Sequence, residues 1–152
     1  MAINEGDQVP DFELADQTGT TRRLSEMLES GPVVLFFYPA AMTAGCTRES
    51  CHFRDLASEF AAVGAQPVGI SRDGVTKQKQ FDEKHSLGFP LLSDQDRQVA
   101  ETFGVKGGLL GLSPVKRATF VIDRNRTVRA VIRSEVNMST HADRALEVLS
   151  NL

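Results

Sequence analysis

Val33-Val34-Leu35-Phe36-Phe37-Tyr38 runs directly into Pro39-Ala40-Ala41-Met42-Thr43-Ala44-Gly45-Cys46, and this stretch decides how the chain folds. The apolar run is too short for a typical helix and is rich in β-branched and aromatic residues, so it reads as a buried strand. Pro39 has no backbone N–H and ends it. Beyond Cys46, Phe53, Leu56, Ala57 and Phe60 recur at helical spacing, with Gly64 as the stop. The order is strand, thiol, helix. In a layered α/β sheet that is where a functional site is expected, at the carboxyl end of a strand.

The rest of the chain continues the alternation. Residues 9–14 read as a short extended segment and residues 16–19 as a turn. A short helix is expected over 23–28, stopped by Gly31 and Pro32. Strands follow at 67–71 and 89–92, with a polar helix over 75–85 anchored by Phe81. A short helix over 98–103 is closed by Gly104. Residues 107–114 read as a glycine-rich apolar loop. Residues 117–123 and 127–133, joined at Arg124 and Asn125, read as a hairpin. Residues 141–149 close the chain as a helix. Helices alternating with strands, then a hairpin, predict one α/β domain over 1–152, with a mixed central sheet flanked by helices.

Length and charge bound the function. One domain with a sizeable core fits 152 residues. The 20 acidic and 17 basic residues leave a slightly negative chain, which argues against nucleic acid as a partner. No apolar run is long enough to span a bilayer, and the polar, acidic first residues show no signal peptide. The expected location is cytoplasmic, where structural disulfides are rare. Two cysteines there point to redox or metal chemistry, with a pair of inert buried thiols as the plain alternative.

Both cysteines lie in one segment, at Cys46 and Cys51. A helix N-terminus offers unpaired N–H groups and the positive end of the dipole, and both favour a thiolate. Arg48 and Arg117 are candidate sources of further positive charge. Thr43, three residues before Cys46, supplies a hydroxyl for a bound oxygen, or caps the helix. Glu49 is placed to hold Arg48 or Arg117, or is a solvated charge. The spacing of the cysteines is not Cys-x-x-Cys, which disfavours a dithiol reductase. Cys46, Cys51 and His52 make no usual zinc set, so no metal is expected.

The residues Pro39-x-x-x-Thr43-x-x-Cys46, with Gly45 before the cysteine, resemble the active-site signature of the peroxiredoxins. The run Cys46-Thr-x-Glu49-x-Cys51-x-Phe53-Arg54-Asp55 is similar to the Q subfamily, also called bacterioferritin comigratory proteins. Val9-Pro10-Asp11-Phe12, Val68-Gly69-Ile70-Ser71, Phe89-Pro90-Leu91-Leu92-Ser93-Asp94 and the Arg117-x-Thr119-Phe120-x-Ile122-Asp123 pattern match in the same order. The resemblance therefore covers essentially the whole chain.

The resemblance implies a thioredoxin-like fold and a thiol peroxidase that needs no metal, haem or other cofactor. It implies that Cys46 is the peroxidatic cysteine and Cys51 the resolving one, joined in an intramolecular disulfide. It assigns Thr43 and Arg117 to the catalytic site, and Pro39, Gly45 and Glu49 to the substrate pocket. Hydrogen peroxide or an organic hydroperoxide is the implied substrate. Thioredoxin or a glutaredoxin-like protein is the implied reductant, in an antioxidant role, and the assembly is a monomer or weak homodimer. The chain departs from the family at Ala40, Ala41, Met42 and Ala44, where relatives often carry polar residues and a proline, so a less charged pocket mouth is expected. A disulfide reductase, and a redox sensor or holdase that forms the same disulfide without turnover, stand as rivals.

One expectation concerns motion. Two residues five apart in a regular helix have Cα atoms about 8.6 Å apart, about 140° around the axis from one another. A disulfide needs Cα atoms within about 7 Å and side chains that face each other. If Cys46 and Cys51 share a helix, its first turns must unwind before the two can bond.

Overall fold

The computed structural model describes residues 3–107 and 114–152, so most of the expected 107–114 loop lies outside the described residues. The chain begins with a small antiparallel ribbon, β1 (Glu13–Ala15) and β2 (Thr21–Arg23). A short helix α1 (Leu24–Met27) and a tighter turn over Leu28–Ser30 lead into β3 (Val33–Phe37). Then follow α2 (Ala44–Asp55), α3 (Ala57–Ala62), β4 (Gln66–Ser71), α4 (Val75–His85) and β5 (Leu91–Ser93). The chain ends with α5 (Gln98–Thr102), the hairpin β6 (Ala118–Ile122) and β7 (Val128–Arg133), and α6 (Ser139–Ser150).

Five strands form one mixed sheet in the order β5-β4-β3-β6-β7. β3 lies at its centre, parallel to β4 and antiparallel to β6. This position explains its unbroken apolar run, because successive side chains point to opposite faces and both faces are covered. Val33, Leu35 and Phe37 join Leu24, Met27, Val99 and Phe103 under α1 and α5. Val34, Phe36 and Tyr38 join Phe53, Phe60, Phe81, Ala142 and Ala145 under α2, α3, α4 and α6. The Phe36 ring stacks on Phe53 with centroids 4.2 Å apart, which fixes α2 on the sheet.

The layered sheet and the hairpin follow the sequence expectation. The hairpin turn is set by Asp123, whose carboxylate accepts from the N–H groups of Asn125 and Thr127. Two differences have local causes. The helix expected after Cys46 is broken at Leu56, whose N–H is shared between the carbonyls of His52 and Phe53 at 3.2 Å each. The change of direction leaves Ala57 exposed rather than on the core face. The strand β2 was not expected, because Thr21-Arg22-Arg23 has no apolar alternation. Its pairing is supported by Asp16, which accepts from Arg22 and from Thr18 and Thr20 in the turn.

Candidate active site

The loop between β3 and α2 brings the motif residues together. Tyr38 N–H still bonds the Ile70 carbonyl of β4, and the partly buried Pro39 then ends the ladder. The loop is tied down by Asp73, whose carboxylate accepts from Ala41 N–H at 2.6 Å and from the Ser71 hydroxyl at 2.7 Å. Met42 turns the chain through a left-handed conformation, φ +70°, which is uncommon for a residue with a side chain. Thr43 occupies the N-cap of α2 in extended conformation. Its hydroxyl makes no cap bond and instead donates to the Ala40 carbonyl at 2.8 Å.

Cys46 sits in the first turn of α2 and is fully buried beneath the exposed Thr43 and Ala44. The helical ladder begins at Thr47 N–H to Thr43 carbonyl, so the N–H groups of Ala44, Gly45 and Cys46 precede it. Arg117, the residue just before β6, reaches this turn. One terminal nitrogen lies 3.5 Å from Cys46 Sγ and the other bonds Glu49 Oε1 at 2.7 Å. The backbone N–H of Arg117 donates to Glu135 at 3.0 Å. Arg48 is exposed, so of the two arginines considered it is Arg117 that faces the thiol. Gly45 permits this close approach: a Cβ there would stand 3.2 Å from Arg117 Nη2 and 3.6 Å from Met138 Sδ.

Glu49 is completely buried rather than solvated. Burial pushes its carboxyl up to about 7, against the pull of Arg117 and with added repulsion from Glu135. Arg117 is raised in turn, because Glu49 and Cys46 outweigh the cost of its burial.

Cys51 lies in the same helix, is half-buried, and both thiols are free. It borders an open groove of about 540 Å³ with Arg48, His52, Asp55, the exposed Val136 and Met138. His52 pairs with Asp143 of α6 at 2.8 Å, away from a shared set with the cysteines. Among the described residues no group of three or more His, Cys, Asp or Glu side chains is arranged to hold a metal ion. A second cleft of about 500 Å³, lined by Arg22, Gly31 and Gln66 among others, lies at the amino ends of β3 and β4, opposite Cys46.

Residues 5–131 match the profile of the AhpC/TSA family. The fold superposes on the crystal structure of the peroxidoxin BcpB from Mycobacterium tuberculosis with a TM-score of 0.95. The two are 62% identical, over 99% of this chain and 98% of that one. The chain belongs to the peroxiredoxins, in the Q subfamily. It is 40% identical to the chloroplastic peroxiredoxin Q of Suaeda salsa, over 99% of this chain and 69% of the relative. The Xanthomonas campestris peroxiredoxin Q matches with a TM-score of 0.84 at 32% identity, over 92% of this chain and 90% of that one. Membership makes this peroxiredoxin a thiol-dependent peroxidase with a thioredoxin-like fold, acting on a peroxide and recycled by a reductant. Among the described residues no helix is long and apolar enough to cross a membrane.

The motif residues of the sequence reading thus meet at one helix N-terminus, with Cys51 further along the same helix. Three residues around them were not anticipated: Asp73, Glu135 and His141. Each acts through a partner far away in sequence, and none carries a local pattern that sets it apart.

Proposed function

We propose that Cys46 is the peroxidatic cysteine and Cys51 the resolving cysteine of a two-cysteine peroxidase that forms its disulfide within one chain. The observation that carries this reading is the position of Cys46 Sγ, in the first turn of α2 and 3.5 Å from the buried Arg117 guanidinium. Helix-end N–H groups and a fixed cation both favour the thiolate.

The thiolate attacks the nearer oxygen of the peroxide and the O–O bond breaks. The outer oxygen leaves as an alkoxide or hydroxide and takes up a proton, giving alcohol or water. Arg117 and the N–H groups at the start of α2 stabilise the charge as it moves onto that oxygen, and they are preorganised to do so. The Thr43 hydroxyl, already donating to Ala40, keeps its lone pairs to accept the peroxide O–H. Pro39 and Gly45 shape the pocket, and Glu49 holds Arg117 in place. Cys46 is left as a sulfenic acid. The Cys51 thiol condenses with it, water leaves, and the disulfide forms. An external dithiol, thioredoxin or a glutaredoxin-like protein, then exchanges with the disulfide and is itself oxidised. The open groove beside Cys51 gives that thiol its approach.

Hydrogen peroxide and organic hydroperoxides are both within reach of this chemistry. A cytoplasmic antioxidant role, as monomer or weak homodimer, completes the proposal. The test is a coupled assay with both peroxide classes and with thioredoxin and glutaredoxin-like reductants. Continuous peroxide consumption matched by dithiol oxidation is the expected result. A single round of disulfide formation without turnover would favour a redox sensor instead.

A further inference from the structure

Behind the Arg117–Glu49 pair lies a third buried group that the chemistry above does not use. His141, in the first turn of α6, is fully buried. Its Nε2 lies 2.9 Å from the Ser134 carbonyl oxygen, which only accepts, so Nε2 carries the hydrogen. Burial, with Arg117 nearby, holds the imidazole below its usual range and keeps it neutral. Nδ1 is therefore a lone pair, and the Thr119 hydroxyl 2.7 Å away donates to it.

Glu49 Oε2 stands 3.6 Å from the same Nδ1 and has no hydrogen-bond partner among the described residues. A charged carboxylate there faces a lone pair and gains nothing. A carboxyl hydrogen on Oε2 faces the same lone pair favourably. The groups around Glu49 are Arg117 before β6, Glu135 after β7, His141 on α6 and Cys46 on its own helix. One guanidinium thus serves two acids. Ionising both Cys46 and Glu49 leaves the buried cluster with excess negative charge, whereas ionising one leaves it balanced.

We propose that His141 is a positioning residue of the peroxide site, whose Nδ1 lone pair favours the uncharged form of Glu49 and so reserves Arg117 for the Cys46 thiolate. The inference rests on Cys46 acting as the nucleophile. The bond from His141 Nε2 to the Ser134 carbonyl fixes the tautomer and ties the site to the segment after β7, while the Thr119 hydroxyl of β6 competes with Glu49 for the Nδ1 lone pair.

The test is a titration of thiolate ultraviolet absorbance in protein carrying Cys51→Ser, where one thiol reports. His141→Gln keeps an N–H for Ser134 and lacks Nδ1. It should raise the midpoint of thiolate formation by about one unit. In protein that also carries Glu49→Gln, the same substitution should leave the midpoint where it was. An equal shift in both backgrounds, or none in the first, overturns the proposal. If His141→Gln loses its native circular dichroism, Thr119→Val replaces it. Removing the competing donor frees Nδ1 for Glu49 and should lower the midpoint, and an unchanged or raised midpoint is the contrary result. The titration reads ionisation rather than turnover, so failure of the peroxidase reading would show separately.

Discussion

Arg117 divides its two terminal nitrogens between two acids of one helix, Nη1 at 2.7 Å from Glu49 Oε1 and Nη2 at 3.5 Å from Cys46 Sγ. The two acids are three residues apart, which puts them on the same face of α2. The guanidinium is almost fully buried, so its field at the sulfur is poorly screened. Among the described residues, removing it leaves Cys46 with the helix end. Arg117→Ala should slow oxidation of Cys46 by peroxide more than tenfold, at least about 1.4 kcal/mol in the barrier. The exposed Arg48→Ala should do less. Stopped-flow oxidation rates for both variants check this, and equal rates for wild type and Arg117→Ala would remove the arginine from the reaction.

Gly45 gives a cleaner probe, because its two effects have opposite signs. Alanine is the better helix former by up to about 1 kcal/mol, so Gly45→Ala should hold or raise stability to urea. The added Cβ would press on Arg117 Nη2 at 3.2 Å and shift the nitrogen that faces the sulfur. Peroxide oxidation should slow about tenfold while the folded state is at least as stable. A variant that loses stability and rate together would mean that the residue acts through packing alone.

The raised carboxyl of Glu49 has a signed consequence for stability. An acid whose folded value is about 7, against an ordinary 4.5, binds a proton more tightly folded than unfolded. Its contribution is fully present at low pH, shrinks as pH rises from about 4.5, and is gone above about 7. Denaturation of reduced protein across this range should show wild type losing stability relative to Glu49→Gln as pH rises, with the difference levelling off above 7. Asp11 and Asp16, held low by their hydrogen bonds despite partial burial, act in the opposite sense but are common to both proteins.

Cys46 and Cys51 share the continuous helix α2, so the proposed disulfide between them would require local unwinding. Glu49 lies between them, and the same motion must draw it off Arg117. The later part of the helix is held by Phe53, stacked between Phe36 and Phe60. Oxidation should lower the helical circular dichroism and raise amide exchange from Cys46 to about Phe53, and dithiothreitol should reverse both. An oxidised protein with the intramolecular disulfide and undiminished protection in this segment would contradict the unwinding.

Much of this was legible in the sequence, for physical reasons. A strand buried on both faces has to be apolar throughout, so residues 33–38 announced a buried strand, and only the fold put it at the centre of the sheet. Pro39 and the helical spacing after Cys46 announced the turn that carries the thiol. Arg117, 71 residues from Cys46, stood beside Arg48 as a candidate cation, and only the family resemblance assigned it to the site, since nothing local ties it there. The break at Leu56 and the left-handed Met42 could not be read, because neither residue type marks a break or a left-handed turn. Glu49 was read with a solvated charge as its plain alternative, and its burial depends on α6 covering it. His141 was not anticipated for the same reason: only the packing of α6 against β6 brings it to Thr119 and Glu49.

The central claim is the division of labour between the two cysteines. Its most direct test is mass spectrometry of Cys51→Ser and Cys46→Ser proteins after one equivalent of peroxide and a dimedone-type trap. Cys51→Ser should carry a single adduct on Cys46, because the sulfenic acid forms and nothing resolves it. Cys46→Ser should carry none and consume no peroxide. An adduct on Cys51 in Cys46→Ser, with none on Cys46 in Cys51→Ser, would reverse the assignment.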